Sequence, residues 1–414
     1  MKKLIILNQQ PFIPAFMLTA ISCSKESFDD VCYINTCNPN NRKDVDKNVR
    51  ISYLFPGKGA SSLALVKAVF SLLSPLVFRD IKKCIKDKGL SFSIIKQFVV
   101  EQYVHQRLYP IARKTIIKAQ KKEEEITVLS TWFAASAFTS AKLKEAHPSI
   151  KAVSLAHSYE ILSVRNPYMK YMHNTYKHDR LDGVFFISYK IREMYMDGIG
   201  GLPEKLKQKT FVSYLGSIKE SNRINTHKTG TFDICTCSRL VPLKRVDLLM
   251  DAIADWNLCP IKWTHLGDGP LFSIMRDRAK ELCEKNQLVN IEFTGRVSNE
   301  CVKRFYAENP VDLFVNLSEI EGLPISIMEA ISYGIPVLAT DVGGTREIVV
   351  PETGFLVSPN LTKEMVRNNL VDYYNRPDSS KESLRGSAFH YWEKHFNASE
   401  NLKHLFEEID SIPS

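Results

Sequence analysis

The stretch SEIEGLPISIMEAISYGIPVLATDVGG, residues 318–344, sets two carboxylates, Glu321 and Glu329, on either side of a turn made by Gly322, Leu323 and Pro324, and then runs on as a helical pattern and an apolar strand. Pro324 reads as the first residue of that helix, where its missing N–H costs nothing and its fixed φ is already helical. The N–H groups of Ile325, Ser326 and Ile327 then point out of the helix end and suit an anion, most naturally a phosphate. Gly322 lets the backbone come close to such a ligand. Glu329, five residues into the helix, stands about 7.5 Å along it at ~1.5 Å per residue, a position matched to the two hydroxyls of a ribose. Glu321 lies on the other side of the phosphate position, where a sugar attached to that phosphate belongs. Two acids with a phosphate between them describe a nucleotide-sugar site. Taken alone, the segment is equally well described as surface acids around a loop.

Working outward, the second half of the chain alternates strand and helix in a regular way. Strands are expected at 232–237, 262–266, 289–293, 311–317 and 336–339, with helices at 246–256, 271–285, 300–309 and 324–333. Repeated β-α steps of this length make a doubly wound parallel sheet, whose ligands sit at the carboxyl ends of the strands. The remaining motifs fall at such ends. CSRLVPLKRVDLLMDAI, residues 237–253, puts Arg239 just past a strand and Lys244 five residues later, before a helix. Two cations there suit a diphosphate and stabilise a departing nucleoside diphosphate electrostatically. HLGDGP at 265–270, with Gly267 and Gly269, and FTGRVS at 293–298 are further strand-end turns.

At 414 residues the chain exceeds the roughly 250–300 at which single cores stop growing, so two domains are expected. The first half carries shorter apolar runs at 3–7, 126–129, 153–155 and 184–187, again alternating with helical segments. The expected organisation is a first domain over 1–215, a second over 216–386 after a polar linker at 216–230, and a C-terminal helix over 387–414 that packs back on the first domain.

Composition excludes several classes. No stretch reaches the ~18 apolar residues of a membrane span, and Asn8, Gln9, Gln10 and Pro11 interrupt the signal-like start MKKLIIL. Nine cysteines without paired spacing suit reduced thiols, and Cys235 and Cys237 alternate as in a strand. A lipoprotein reading at Cys23 is the minor alternative. Asp44-Val45-Asp46 and the run Pro56–Ser62 imitate a metal motif and a phosphate loop, but the first lies in a polar run and the second lacks the required spacing. The histidines form no metal-ligand cluster. Between residues 71 and 122, twelve Lys or Arg face only Asp80, Asp87 and Glu101, which equals the net charge of +9 of the whole protein. With Leu72, Leu73, Phe78, Phe92 and their neighbours this stretch reads as basic amphipathic helices suited to an anionic membrane surface, or as solvated helix faces. It lacks the aromatic interleaving of a nucleic-acid site, so no nucleic-acid partner is expected.

Residues 232–357 resemble the donor-binding domain of family 4 glycosyltransferases on Ser238-Arg239-Leu240 with Lys244, Gly267-Asp268-Gly269-Pro270, Glu321 with Glu329, Gly343-Gly344, and the Thr353–Val357 segment. The resemblance implies the α/β GT-B fold, two Rossmann-like doubly wound domains facing across a cleft, and transfer with retention from a nucleoside-diphosphate sugar without metal or other cofactor. It implies that Arg239 and Lys244 hold the diphosphate, that Glu321 faces the donor sugar, that Glu329 binds the ribose, and that the backbone near Val297 edges the base. LSTWFAASAF at 129–138 and SLAHSYEILSVRNPY at 154–168 resemble capsular and exopolysaccharide glycosyltransferases in which a histidine sits at the cleft. This makes His157 a candidate for contact with the donor sugar or phosphate, and Arg165 a secondary one. The family's glycine-rich loop after the first strand is replaced here by Asn8-Gln9-Gln10-Pro11, so the acceptor is expected to be held differently.

The expected protein is therefore a cytoplasmic enzyme, peripheral on the inner face of the plasma membrane, that transfers sugar to a lipid-linked saccharide acceptor in cell-envelope polysaccharide synthesis. A nucleotide-sugar epimerase, a phosphorylase of the same architecture, and a non-catalytic nucleotide-sugar-binding subunit at the membrane are the alternatives.

Overall fold

The computed structural model describes residues 1–10, 15–35, 50–53, 62–161, 168, 171–198, 204–219 and 230–413. Arg165, the Asp44-Val45-Asp46 motif, residues 56–61 and Pro11 lie outside the described residues. The chain forms two compact units, Met1–Leu215 with Ala398–Ser414, and Gly216–Asn397.

The first unit contains, among the described residues, strands β1 (Lys2–Asn8), β2 (Asp30–Asn35), β3 (Arg50–Tyr53), β4 (Glu125–Ser130), β5 (Lys151–Ala156), β6 (Gly183–Phe186) and β7 (Thr210–Val212). They pair in parallel in the order β3-β2-β1-β4-β5-β6-β7. β1 is buried along nearly its whole length, as expected of a strand covered by helices on both faces. Ile5, Leu7, Val128 and Leu143 share its core with Leu108, Ala112 and Ile116 of the long helix Phe92–Gln120.

The second unit contains β8 (Phe232–Cys237), β9 (Ile261–Leu266), β10 (Val289–Phe293), β11 (Leu313–Asn316), β12 (Val337–Thr340) and β13 (Gly354–Val357), parallel in the order β10-β9-β8-β11-β12-β13. Both sheets reverse their strand order once, between β1 and β4 and between β8 and β11, which is the doubly wound arrangement. The core of the second unit is built on Trp256, Trp263, Leu313 and Val315.

Two expectations change. The tail expected as one helix over 387–414 contains two helices, Asp378–His395 and Ala398–Ser411. Their partners differ: Trp392 Nε1 donates to Ser217 Oγ at 2.9 Å in the second unit, while Phe406 meets Phe28 edge-on in the first. The chain therefore re-enters the first unit at residue 398, not 387. The apolar side of the basic stretch also turns largely inward. Val77, Ile81, Ile94 and Phe98 are core residues packed with Tyr171 and Met172, because the two helices Pro75–Lys88 and Phe92–Gln120 bury their stripes against the sheet's own helix layer.

The start of β11 is fixed by a buried ion pair. Arg385 Nη2 donates to Val311 O at 2.7 Å and lies 3.3 Å from Asp312 Oδ1, with both side chains almost wholly buried. The other Asp312 carboxylate oxygen accepts the N–H of Asp233 at 2.8 Å, one residue into β8. One carboxylate thus ties the two strands whose far ends carry the candidate site. Arg385→Ala leaves that carboxylate buried without its counter-charge and is expected to destabilise the second unit by about 3–5 kcal/mol, read as a lowered denaturation midpoint.

Candidate functional site

Because the chain leaves β8 and β11 toward opposite faces of the sheet, the loops that follow these strands open a crevice at their carboxyl ends. The first loop runs through a 3₁₀ turn, Pro242–Lys244, into helix Val246–Ile253, and the second leads into helix Ile325–Ser332. Cys237, Ser238, Lys244, Asn316 and Ser318 line the crevice.

Lys244 and Glu321 meet there, Nζ to Oε1 at 2.5 Å. Asn316 Nδ2 reaches the same oxygen at 3.4 Å, so the carboxylate, which is largely buried, is held by a cation from one loop and an amide from the strand end. Arg239 stands exposed two residues beyond β8, its carbonyl accepting the N–H of Val241 at 3.0 Å and its guanidinium without a hydrogen-bond partner among the described residues. Its neighbour in sequence pattern, Arg245, is structural. It adopts φ +46°, and its Nε and Nη1 donate to the carbonyls of Leu317 and Pro359 at 2.6 and 2.7 Å, bracing the second loop.

Pro324 is the N-cap of its helix, not the first helical residue; its ψ of 106° is extended. Its carbonyl accepts the N–H of Ile327 at 3.1 Å, so the reading of three outward N–H groups is corrected to two, those of Ile325 and Ser326. Leu323 is buried beneath the turn and Ile325 is half exposed at the helix start. Glu329 is buried on the fifth helical residue, where its Oε1 accepts from Asn299 Nδ2 at 2.6 Å. The Glu329 charge and burial together push the Cys237 thiol up to about 12, burial being the larger cause, so this cysteine stays protonated.

Gly322 serves a different neighbour from the one its sequence position suggests. Its carbonyl accepts the N–H of Gly344 at 2.7 Å. At Gly343, φ is +56° and a Cβ would fall 1.9 Å from the Glu321 carbonyl oxygen. The glycine pair after β12 therefore exists to let that loop lie directly on the Glu321–Gly322 backbone. Gly267 plays the same part beside β8: its φ is +149° and a Cβ would lie 2.0 Å from Ser238 O. Val297 is half-buried in the loop between β10 and helix Asn299–Glu308.

The first unit treats its own strand-order reversal differently. Asn8, at the end of β1, accepts from Thr131 Oγ1 at 3.0 Å and donates to Asn35 at 3.0 Å. Gln9 Oε1 accepts the N–H of Ser136 at 3.0 Å and supplies a cap to helix Ala135–Ala146, which has no side-chain cap of its own. Amide side chains thus brace the carboxyl end of β1.

His157 follows β5 and lies over Trp132, with ring centroids 4.4 Å apart. Its Nε2 lies 3.0 Å from Thr131 O. A carbonyl only accepts, so Nε2 carries the hydrogen, and burial lowers the imidazole to about 4. A neutral ring of this tautomer suits a sugar hydroxyl better than a phosphate. Glu160, three residues on, is buried with Oε1 accepting the N–H of Phe133 at 2.9 Å, and Lys177 Nζ donates to Phe133 O at 2.7 Å. Burial pushes the Glu160 carboxyl up to about 8.

Sequence reading missed Asn316, Asn299, Arg245 and Glu160. A polar residue closing an apolar strand was a usable signal for Asn316. Asn299 is thirty residues from the carboxylate it meets, and nothing local announces that pairing.

Residues 217–383 match the family model described as glycosyl transferases group 1. The chain is 30% identical over 198 residues to an uncharacterized glycosyltransferase of Methanocaldococcus jannaschii, covering 47% of this chain and 53% of that one. It is 27% identical over 248 residues to the O-antigen biosynthesis glycosyltransferase WbnH of Escherichia coli, covering 57% and 65%. These matches span less than two thirds of either relative's length. Among solved structures, Anabaena HepE in complex with UDP superposes with a TM-score of 0.67 at 18% identity, over 99% of this chain and 100% of that one.

Two variants probe this geometry. Gly343→Ala is expected to cost about 1–3 kcal/mol in chemical denaturation and to displace the Glu321 carbonyl. Glu160→Gln isolates the first unit's raised carboxyl. Such a group stabilises the fold fully below its ordinary value near 4.5 and loses that contribution as pH rises through about 8. Wild-type stability minus that of Glu160→Gln should therefore fall between those limits, by a few kcal/mol at most, in denaturation curves taken across that range; a constant difference contradicts the raised value. By sequence, residues 217–383 match the group 1 glycosyl transferases, and by structure the chain has the two-domain GT-B fold.

Proposed function

We propose that the protein is a retaining glycosyltransferase of family 4 that moves a sugar from a nucleoside-diphosphate sugar to a saccharide acceptor in cell-envelope polysaccharide synthesis. The observation that carries the reading is the convergence, at the β8/β11 reversal, of Lys244, Glu321 and the open N-terminus of helix Ile325–Ser332. A diphosphate bound at that helix end takes Lys244 as its counter-ion, with Arg239 as the second cation. Glu321, relieved of Lys244, is then available to the donor sugar. Glu329 takes the ribose hydroxyls, and the backbone at Val297 and the turn at Gly267 edge the base and the phosphates. HepE, solved with UDP, makes uridine diphosphate the first donor portion to try.

In the chemical step the acceptor hydroxyl attacks on the face from which the diphosphate leaves. The bond from the anomeric carbon to the phosphate oxygen breaks, and the acceptor proton passes to that oxygen. Lys244 and Arg239 stabilise the charge that develops there, so the reaction is read as independent of metal and of any other cofactor. Glu321 orients the sugar and offsets positive charge at the anomeric carbon. His157 is the first unit's proposed contribution, as a neutral acceptor for a hydroxyl. The acceptor is read as lipid-linked, at the inner face of the plasma membrane, because the basic excess of the first unit favours an anionic surface.

The test begins with a thermal-shift panel of UDP, GDP, ADP, TDP and CMP with and without EDTA. Stabilisation by one diphosphate that survives EDTA is expected, and no shift with any of them overturns the donor site. With the matching nucleotide sugar, Lys244→Ala is expected to lower kcat about 10²–10³-fold, and Glu321→Ala to abolish transfer while leaving the melting curve cooperative. Full activity in Glu321→Ala contradicts the assignment.

A further inference from the structure

Helix Ser62–Ser71 carries its apolar residues on the side away from the protein. Its buried positions are Ala64 and Ala68, four residues apart and hence on one face. That face meets helix Phe92–Gln120, where Gln106 Nε2 donates to Ser71 Oγ at 3.2 Å. Leu63, Val66 and Phe70 point outward, 63%, 50% and 67% exposed. The chain then bends by 69° into helix Pro75–Lys88 and adds Leu73 and Phe78, also exposed. Helices of this kind ordinarily bury the large residues and expose the small. Here the small residues make the internal contact, which leaves a continuous apolar ridge of the sort that marks an interaction surface.

The charges around the ridge say what covers it. Residues 62–100 hold seven exposed Lys or Arg, among them Lys67, Lys82, Lys83 and Lys86. The acids in that span are Asp80, buried against His173 Nδ1 at 2.8 Å, and Asp87, which accepts from Tyr171 OH at 3.0 Å. A second copy of the chain laid on this ridge would bring the same excess of cations against it. A surface that is apolar beneath and anionic above matches both features.

We infer that the ridge from Leu63 to Phe78 is a membrane-docking surface. Its leucine, valine and phenylalanine side chains enter the acyl boundary while the flanking lysines lie among anionic headgroups. This deepens the lipid-linked-acceptor reading by naming the surface that brings the chain to its acceptor, and rests on that reading for its purpose alone. The basic excess of the sequence lies over 71–122, whereas the exposed apolar part begins earlier, at Leu63.

The experiment is co-sedimentation of the full chain with phosphatidylcholine vesicles and with vesicles enriched in phosphatidylglycerol, at low and high salt. Wild type is expected on the anionic vesicles, with weaker binding on the neutral ones and in high salt. Leu63→Ser with Val66→Ser and Phe70→Ser should reduce binding to anionic vesicles about tenfold or more, while Lys82→Glu with Lys83→Glu and Lys86→Glu should remove the preference for them. Unchanged binding of the serine variant, or no vesicle binding by wild type, overturns the inference. So does a wild-type oligomer, seen by light scattering, that the serine variant dissolves without any vesicle binding, since the ridge is then a contact between copies. The UDP thermal shift, read in the same samples, keeps the two readings apart. Lost vesicle binding with a retained shift rejects only the docking surface, and the reverse rejects only the donor site.

Discussion

The second unit depends on one topological constraint. Right-handed crossovers leave β8 and β11 on opposite faces of a parallel sheet, so no connection covers the gap between their carboxyl ends. Backbone polar groups gathered there face outward, and the two loops that emerge side by side come from distant parts of the chain. Lys244 and Glu321, 77 residues apart, meet only because of this reversal. The opposite ends of the same strands are locked by Asp312, whose carboxylate joins β8 to Arg385 of a later helix.

The same reversal in the first unit carries other chemistry. There the side chains of Asn8, Thr131 and Gln9 hydrogen-bond across the strand ends, and Gln9 caps the following helix. Side-chain amides brace the strand ends there, whereas the second unit keeps a helix start without a side-chain cap and a cation close by. One topology thus carries a Lys244–Glu321 pair beside an uncapped helix start in one half and a hydrogen-bonded brace in the other, and the difference lies in a few residues near strand ends.

Burial decides which charged groups are available. Arg239 is exposed and Lys244 is shared with Glu321, while Arg245, chemically equivalent to Arg239, spends its guanidinium on the carbonyls of Leu317 and Pro359. His157 is kept neutral by its surroundings. Helix Ser62–Ser71 shows that the rule for apolar residues also runs both ways: alanines suffice for its internal contact, and its large side chains are left to the outside.

The sequence by itself determined the alternation of strands and helices, because periodicity and strand-end glycines are local properties. β8 and β10 lie on the residues read for them, 232–237 and 289–293, while β13, within a motif noted only for resemblance, and the short β2, β3 and β7 were not read as strands. The candidate residues were legible too, Arg239, Lys244 and Glu321 as charged groups in the loops that follow strands and Glu329 as a carboxylate in the helix after them. What only the tertiary structure decided is who meets whom. The Lys244–Glu321 and Glu329–Asn299 pairs, the seating of Gly343 on the Glu321 carbonyl, the cap role of Pro324 and the outward turn of Leu63, Val66 and Phe70 all depend on elements brought together from far along the chain. A linear pattern records a helix's two faces but not which of them the rest of the protein covers, and it records a charge but not the partner that folding sets beside it.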